Sequence, residues 1–206
     1  MPYVQLNEEE WKQEHIHIRK AVQQQLSLDT VMLRCPRMNF DEEAKQSDHI
    51  VVLEPLGPTP PLPARGQWIG LADLAERTLA IPNQRPEIEA CLREETSGVP
   101  PRLRQPWASR GWFQSAEAWI KEQLARLDIT LTAPIEQLRN WGISTILVAD
   151  TSAGNVYFKA IPPRIGRQSE ARPFLFAHEP MFVQALACFR TPSECRSQST
   201  RNAPGC

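Results

Sequence analysis

The stretch Ile143–Ile161 leaves this chain the least freedom. Two short apolar runs, Ile143–Ala149 and Val156–Ile161, flank a small polar cluster, Asp150–Asn155, that contains a Gly-Asn pair. Runs of that length, rich in β-branched and aromatic residues and joined by turn formers, predict a β-hairpin. One cation, Lys159, stands inside the second run, where a strand would otherwise be uniformly apolar. Ile135–Trp141 predicts a strand leading into the hairpin. Before it, Phe113, Ala116, Trp119, Ile120, Leu124 and Leu127 form one stripe, with Glu117, Lys121, Glu122 and Arg126 opposite. That spacing predicts an amphipathic helix over 113–127. After the hairpin, Phe174–Leu186 repeats apolar residues at helical spacing, with Glu179 and Pro180 as its opening signals, and predicts a second helix.

Composition excludes several classes of function. The chain has 206 residues, 41% of them hydrophobic and 23% charged, which is ordinary for a globular protein that buries a real core. A formal charge of -1 gives no electrostatic footprint for DNA, RNA or an anionic membrane. The acidic start, Glu8-Glu9-Glu10, is unlike a signal peptide, and no apolar run approaches a membrane span. The five cysteines are scattered, without a CxxC or a Cys/His cluster, so neither zinc nor a disulfide framework is expected. A reducing cytoplasm is the expected setting.

The N-terminal half reads as a helix over Ile16–Leu28, then strands at Thr30–Leu33 and His49–Leu53 separated by the polar Asn39–Asp48. Pro55, Pro58, Pro60, Pro61 and Pro63 exclude helix and central strand there. Gln67–Glu76 predicts a short strand and a helical turn, and Arg85–Glu95 a further helix. Thr96–Trp107, polar and carrying Pro100, Pro101 and Pro106, reads as a linker between domains. Trp107 and Trp112 could stack nucleotides, but without a basic field they read better as pins between linker and domain.

This order of elements over roughly residues 16–95 resembles the Nudix hydrolase family. There a helix ending in Arg-Glu-x-x-Glu-Glu carries metal-binding carboxylates. Here Gln24 and Gln25 stand where the paired glutamates would, and a neutral amide is a poor Mg²⁺ ligand. The resemblance therefore implies a degenerate, inert domain without a metal site. Glu42-Glu43 and Arg93-Glu94-Glu95 read as solvated charged helix faces.

From Gln105 to Phe189 the chain resembles the aminoglycoside-phosphotransferase/choline-kinase-like family, particularly its bacterial members. The matching residues are Pro106-Trp-Ala-Ser-Arg-Gly-Trp-Phe113, Ala118-Trp-Ile120, Glu136-Gln137, Trp141-Gly-Ile-Ser144, Asn155-Val-Tyr-Phe-Lys-Ala160 and His178-Glu-Pro180. The resemblance implies that Lys159 holds the α- and β-phosphates of ATP and that Glu179 orients it. It also implies that Gly142-Ile-Ser-Thr145, with the hydroxyls of Ser144 and Thr145, lies over the phosphates. His178 reads as a packing or capping residue. Full-length relatives use ATP and Mg²⁺ to phosphorylate a small-molecule hydroxyl. Their catalytic aspartate and metal ligands belong to a large C-terminal lobe, and no aspartate follows Phe189 here.

The segment after Phe189 is rich in Arg, Ser, Thr and Pro, without apolar periodicity, and is expected to be disordered. Read across codon junctions from Cys188, it permits Phe-Pro-Asp and later Asp-x-Glu-Arg-x-Trp-Leu, the kind of continuation the family shows. The expectation is a frameshift near Cys188 that truncates a longer phosphotransferase. The expected architecture is α+β: a degenerate Nudix-like domain (1–95), a Pro/Trp linker (96–112), a kinase-like small lobe (113–189) and a tail (190–206). The expected function is the inactive remnant of a phosphotransferase; the alternatives are a non-catalytic nucleotide- or partner-binding module and a weak Nudix-type hydrolase. No catalytic residue is assigned, ATP is expected to bind weakly, and nucleic acid and membrane are not expected as partners. Self-association is expected through an apolar face formed by Phe182, Leu186 and Ile146–Val148.

Overall fold

The computed structural model describes residues 14–43, 46–57, 67–162 and 183–186, with backbone alone for residues 14–15 and 183–186. Helix and sheet are mixed, in keeping with an α+β class. The chain divides into two compact units: Met1–Arg104 with Ala108–Arg110, and Gln105–Trp107 with Gly111–Cys206.

In the first unit, helix α1 (Glu14–Leu26) precedes a long antiparallel hairpin, β1 (Thr30–Asp41) and β2 (Gln46–Pro55). The register runs from Thr30 opposite Pro55 to Asp41 opposite Gln46, with irregularities between Met32 and Arg37. Both strands are longer than the apolar runs predict. The polar Asn39–Asp48 segment, expected as a separator, forms the wet end of the ribbon, where backbone pairing needs no apolar face. Val31, Met32 and Leu33 are buried at the base with Ile50, while Met38 and Phe40 stay exposed near the tip. Helix α1 packs on β1 and contributes the buried Val22.

Residues 67–70 form no strand, contrary to the sequence reading; Gly70 instead starts the short helix α2 (Leu71–Ala75), its N–H donating to Asp73 Oδ2 at 2.9 Å. Leu74 of α2 is 1% exposed. A 3-10 turn, Pro82–Gln84, leads into α3 (Arg85–Ser97), with Pro86 in its first turn and Gly98 closing it at φ +65. Those are the positions where a missing N–H and a left-handed backbone are best tolerated.

The second unit places α4 (Trp112–Arg126) before a four-stranded meander: β3 (Glu136–Trp141), β4 (Ser144–Thr151), β5 (Gly154–Ala160) and β6 (Val183–Leu186), in that order. The predicted helix and hairpin both form, within a residue or three of the expected bounds. The helix expected over Phe174–Leu186 does not extend to its end, because Val183–Leu186 is a strand paired antiparallel with Tyr157–Ala160. The exposed edge of β5 offers a row of N–H and C=O groups, and a Val-Gln-Ala-Leu segment satisfies them as well as it would a helix. Residues 163–182, which include Phe174–Phe182 and Glu179, lie outside the described residues.

Alternation gives the sheet two distinct faces. Leu147, Ala149, Val156, Phe158 and Ala160 are all buried on one, together with Gln137 and Thr145. That face meets α4, whose Phe113, Ala116, Ile120 and Leu124 are buried and whose Trp119 sits edge-on to Phe158, 6.2 Å between centroids at 87°. Ile146, Val148, Tyr157 and Lys159 lie on the other face, half-buried.

Candidate functional site

The face turned away from α4 is assembled by register. One row across the sheet is Arg139–Ile146–Lys159–Gln184, and the parallel row is Glu136–Val148–Tyr157–Leu186. Trp141 stands opposite Ser144 one row further towards the turn. Directly opposed residues of an antiparallel pair share a face, so Lys159, Ile146, Arg139, Ser144 and Trp141 stand on the same side. Strands are about 4.8 Å apart, which puts the Cα atoms of Arg139 and Lys159 about 10 Å apart across Ile146.

The residues expected to contact phosphate are distributed unevenly. Lys159 stands on this face, half-buried, and among the described residues no carboxylate pairs with it. Ser144 shares the face and is 5% exposed. Thr145 faces the opposite side, is fully buried, and donates its hydroxyl to the Arg139 carbonyl at 2.9 Å. Its oxygen is a structural tie within the β3–β4 hairpin. Glu179 lies outside the described residues.

Two residues not singled out by sequence reasoning join Lys159. Arg139 is exposed and its guanidinium lies 4.3 Å above the centre of the Trp141 ring. Trp141 itself is 52% exposed. Arg139 reaches this face because of an irregularity between Gln137 and Arg139. Gln137 pairs with Leu147 on the core side; strict alternation would send Arg139 there too, and the extra residue, Leu138, reverses it. The signal in the sequence was the Arg139/Trp141 spacing, which places both on one face of any strand.

The backbone below this ledge is tied at three carbonyls. That of Arg139 accepts from Thr145, that of Trp141 from Trp107 Nε1 at 3.0 Å, and that of Gly142 from Gln105 Nε2 at 2.9 Å. Trp107 is 2% exposed and packs edge-on against Trp112, 6.5 Å between centroids at 70°. Trp107 thus pins the β3–β4 hairpin, and both rings are too buried to stack a ligand.

The apolar surface expected at Ile146–Val148 is less open than anticipated: Leu147 is buried and its neighbours half-buried. The exposed large apolar side chains of the hairpin are Leu138 (39%), Trp141 and Ile143 (61%). In the first unit, the acidic pair Glu94-Glu95 is occupied by arginines. Glu94 meets Arg34 at 3.3 Å and Arg104, and Glu95 meets Arg110 at 3.2 Å. Gln24 and Gln25 are exposed on α1, and among the described residues no three His, Cys, Asp or Glu side chains form a group that could hold a metal ion. No helix of the described residues is long and apolar enough to cross a membrane. Comparison with protein-family models, with curated proteins and with solved structures finds no match.

Proposed function

We propose that the second unit is the nucleotide-positioning small lobe of an aminoglycoside-phosphotransferase-like protein, and that it takes ATP by its phosphates at Lys159. The observation that carries this reading is the placement of Lys159. It stands on the sheet face that α4 leaves uncovered, among Ile146, Val148 and Tyr157, with no carboxylate partner among the described residues. An ammonium in that setting gains from a phosphate a counter-charge that no described residue supplies, and the apolar neighbours offer a platform for a base. Ser144 stands one row on, on the same side, and at 5% exposure underlies the platform. In this reading Lys159 binds and orients the phosphates and does no proton transfer. For the Mg²⁺ that accompanies ATP in such proteins, the described residues bring together no group of three His, Cys, Asp or Glu side chains, and no step is assigned to it.

The first unit, in the same proposal, is a Nudix-like segment whose metal chemistry has lapsed through Gln24 and Gln25. Titration of the purified chain with ATP, ADP and adenosine tests the main reading. The expected result is weak, saturable binding that grows with the number of phosphates and is lost in Lys159→Met. Equal binding by wild type and Lys159→Met would remove Lys159 from the site. Steady ADP release in the presence of a hydroxyl acceptor would show that the chain transfers phosphate itself, against the positioning role.

A further inference from the structure

We infer that Arg139 is a second phosphate-contacting residue, held ready by Trp141, so that Lys159 and Arg139 together grip the polyphosphate of a nucleoside di- or triphosphate. The inference rests on the nucleotide reading of the Lys159 face and adds the group that recognises the far end of the phosphate chain.

Three observations converge on it. Arg139 and Lys159 occupy one row of the sheet on the same face, separated only by Ile146. The intervening side chain is apolar, so neither cation is neutralised from between, and among the described residues no carboxylate pairs with either. Two cations about 10 Å apart at Cα leave room between their long side chains for an anion carrying several charges. The guanidinium is also pre-positioned. It stacks on Trp141, and the carbonyls of Arg139, Trp141 and Gly142 are each tied by a side chain, from Thr145, Trp107 and Gln105. Contact with the indole restrains the guanidinium, and among the described residues none accepts from its N–H groups. A planar fork of this kind suits two phosphate oxygens at once.

The electrostatic match decides the ligand class. Two cations in one row with Ile146 between them, neither paired with a carboxylate among the described residues, complement a di- or triphosphate better than a single phosphate, with Glu136 on the same face in the next row. Ile146, Val148 and Tyr157 then lie beside the phosphates, where a nucleoside would rest.

Calorimetric titration of the full chain with ATP, inorganic tripolyphosphate and adenosine, in wild type, Arg139→Gln, Arg139→Lys and Lys159→Met, tests the inference. Arg139→Gln is expected to weaken ATP and tripolyphosphate about tenfold, the scale of a hydrogen bond to a charged group, and to leave adenosine unchanged. Arg139→Lys, which keeps the charge without the fork, should fall between. The thermal midpoint of each variant serves as the folding control, since Arg139 is exposed. Unchanged binding in Arg139→Gln, with Lys159→Met impaired, overturns the inference and leaves the nucleotide reading standing. Binding of tripolyphosphate but not ATP, dependent on both cations, supports the two-cation grip and removes the nucleotide. No saturable binding of either ligand by wild type overturns both.

Discussion

Phe158→Ala and Tyr157→Ala truncate adjacent residues of β5, and their expected costs differ severalfold. Phe158 is 3% exposed and lies edge-on to Trp119 of α4. Removing a buried phenylalanine ring costs about 3–5 kcal/mol, of which the aromatic pair supplies about 0.5–1.5 kcal/mol. Tyr157 is half-buried on the opposite face, beside Val148 and Leu186 in register. Its truncation gives up only part of that transfer and opens no closed cavity, for about 1 kcal/mol. With a urea m-value of about 2 kcal/mol per molar, Phe158→Ala lowers the unfolding midpoint by about 1.5–2.5 M and Tyr157→Ala by about 0.5 M. Urea titration followed by tryptophan fluorescence reads the difference, because Trp119 reports on this core. The two shifts also fix where Lys159 stands, since Lys159 shares the parity of Tyr157. A larger shift for Tyr157→Ala would put Lys159 on the packed face, and equal shifts would mean that both faces are covered; either result refutes the site.

Other substitutions probe the supports. Thr145→Val keeps the volume of a fully buried side chain and deletes its bond to the Arg139 carbonyl, for an expected loss of about 1–2 kcal/mol in urea unfolding. In the first unit, Glu94→Gln leaves Arg34, 9% exposed, and Arg104 without their shared carboxylate. The expected cost is about 2–3 kcal/mol by thermal unfolding, below that of a fully buried pair because Glu94 and Arg104 remain 20% and 19% exposed. Gly98→Ala meets nothing within 4 Å, so its cost of about 1 kcal/mol comes from the backbone at φ +65 alone; no loss in thermal midpoint would mean that the α3 terminus relaxes.

The parts legible in the sequence are those where burial imposes a period. α4 repeats its apolar stripe because one side lies on the sheet, and β4 and β5 are apolar runs because one face is packed and the other half-covered. The β1–β2 ribbon escapes full reading because the distal third of β1, from Met38 to Asp41, is exposed, so no burial marks Asn39 or Asp41 as strand. β6 was hidden for a different reason. Its pairing to β5 is non-local, and four residues are too few to distinguish a strand from the end of a helical pattern. Arg139 was missed through parity. An irregularity between Gln137 and Arg139 reverses the side on which every later residue of β3 emerges, and nothing in Glu136–Trp141 announces it. Lys159 stood out because a cation interrupts an apolar run, a signal that needs no knowledge of register. The family resemblance puts Thr145 with Ser144 over the phosphates, but adjacent strand residues face opposite ways, and only Ser144 shares the Lys159 face.

Affinity labelling tests the nucleotide reading most directly. An ATP analogue carrying a mixed acyl-phosphate anhydride on its terminal phosphate acylates amines that lie beside the bound phosphates, and peptide mass spectrometry identifies the lysine. The chain offers Lys12, Lys20, Lys45, Lys121 and Lys159 as competitors within one experiment. The expected result is preferential acylation of Lys159, suppressed by excess tripolyphosphate and reduced in Arg139→Gln. Labelling spread evenly over the five lysines, or at Lys159 but indifferent to tripolyphosphate, would contradict a phosphate site on this face.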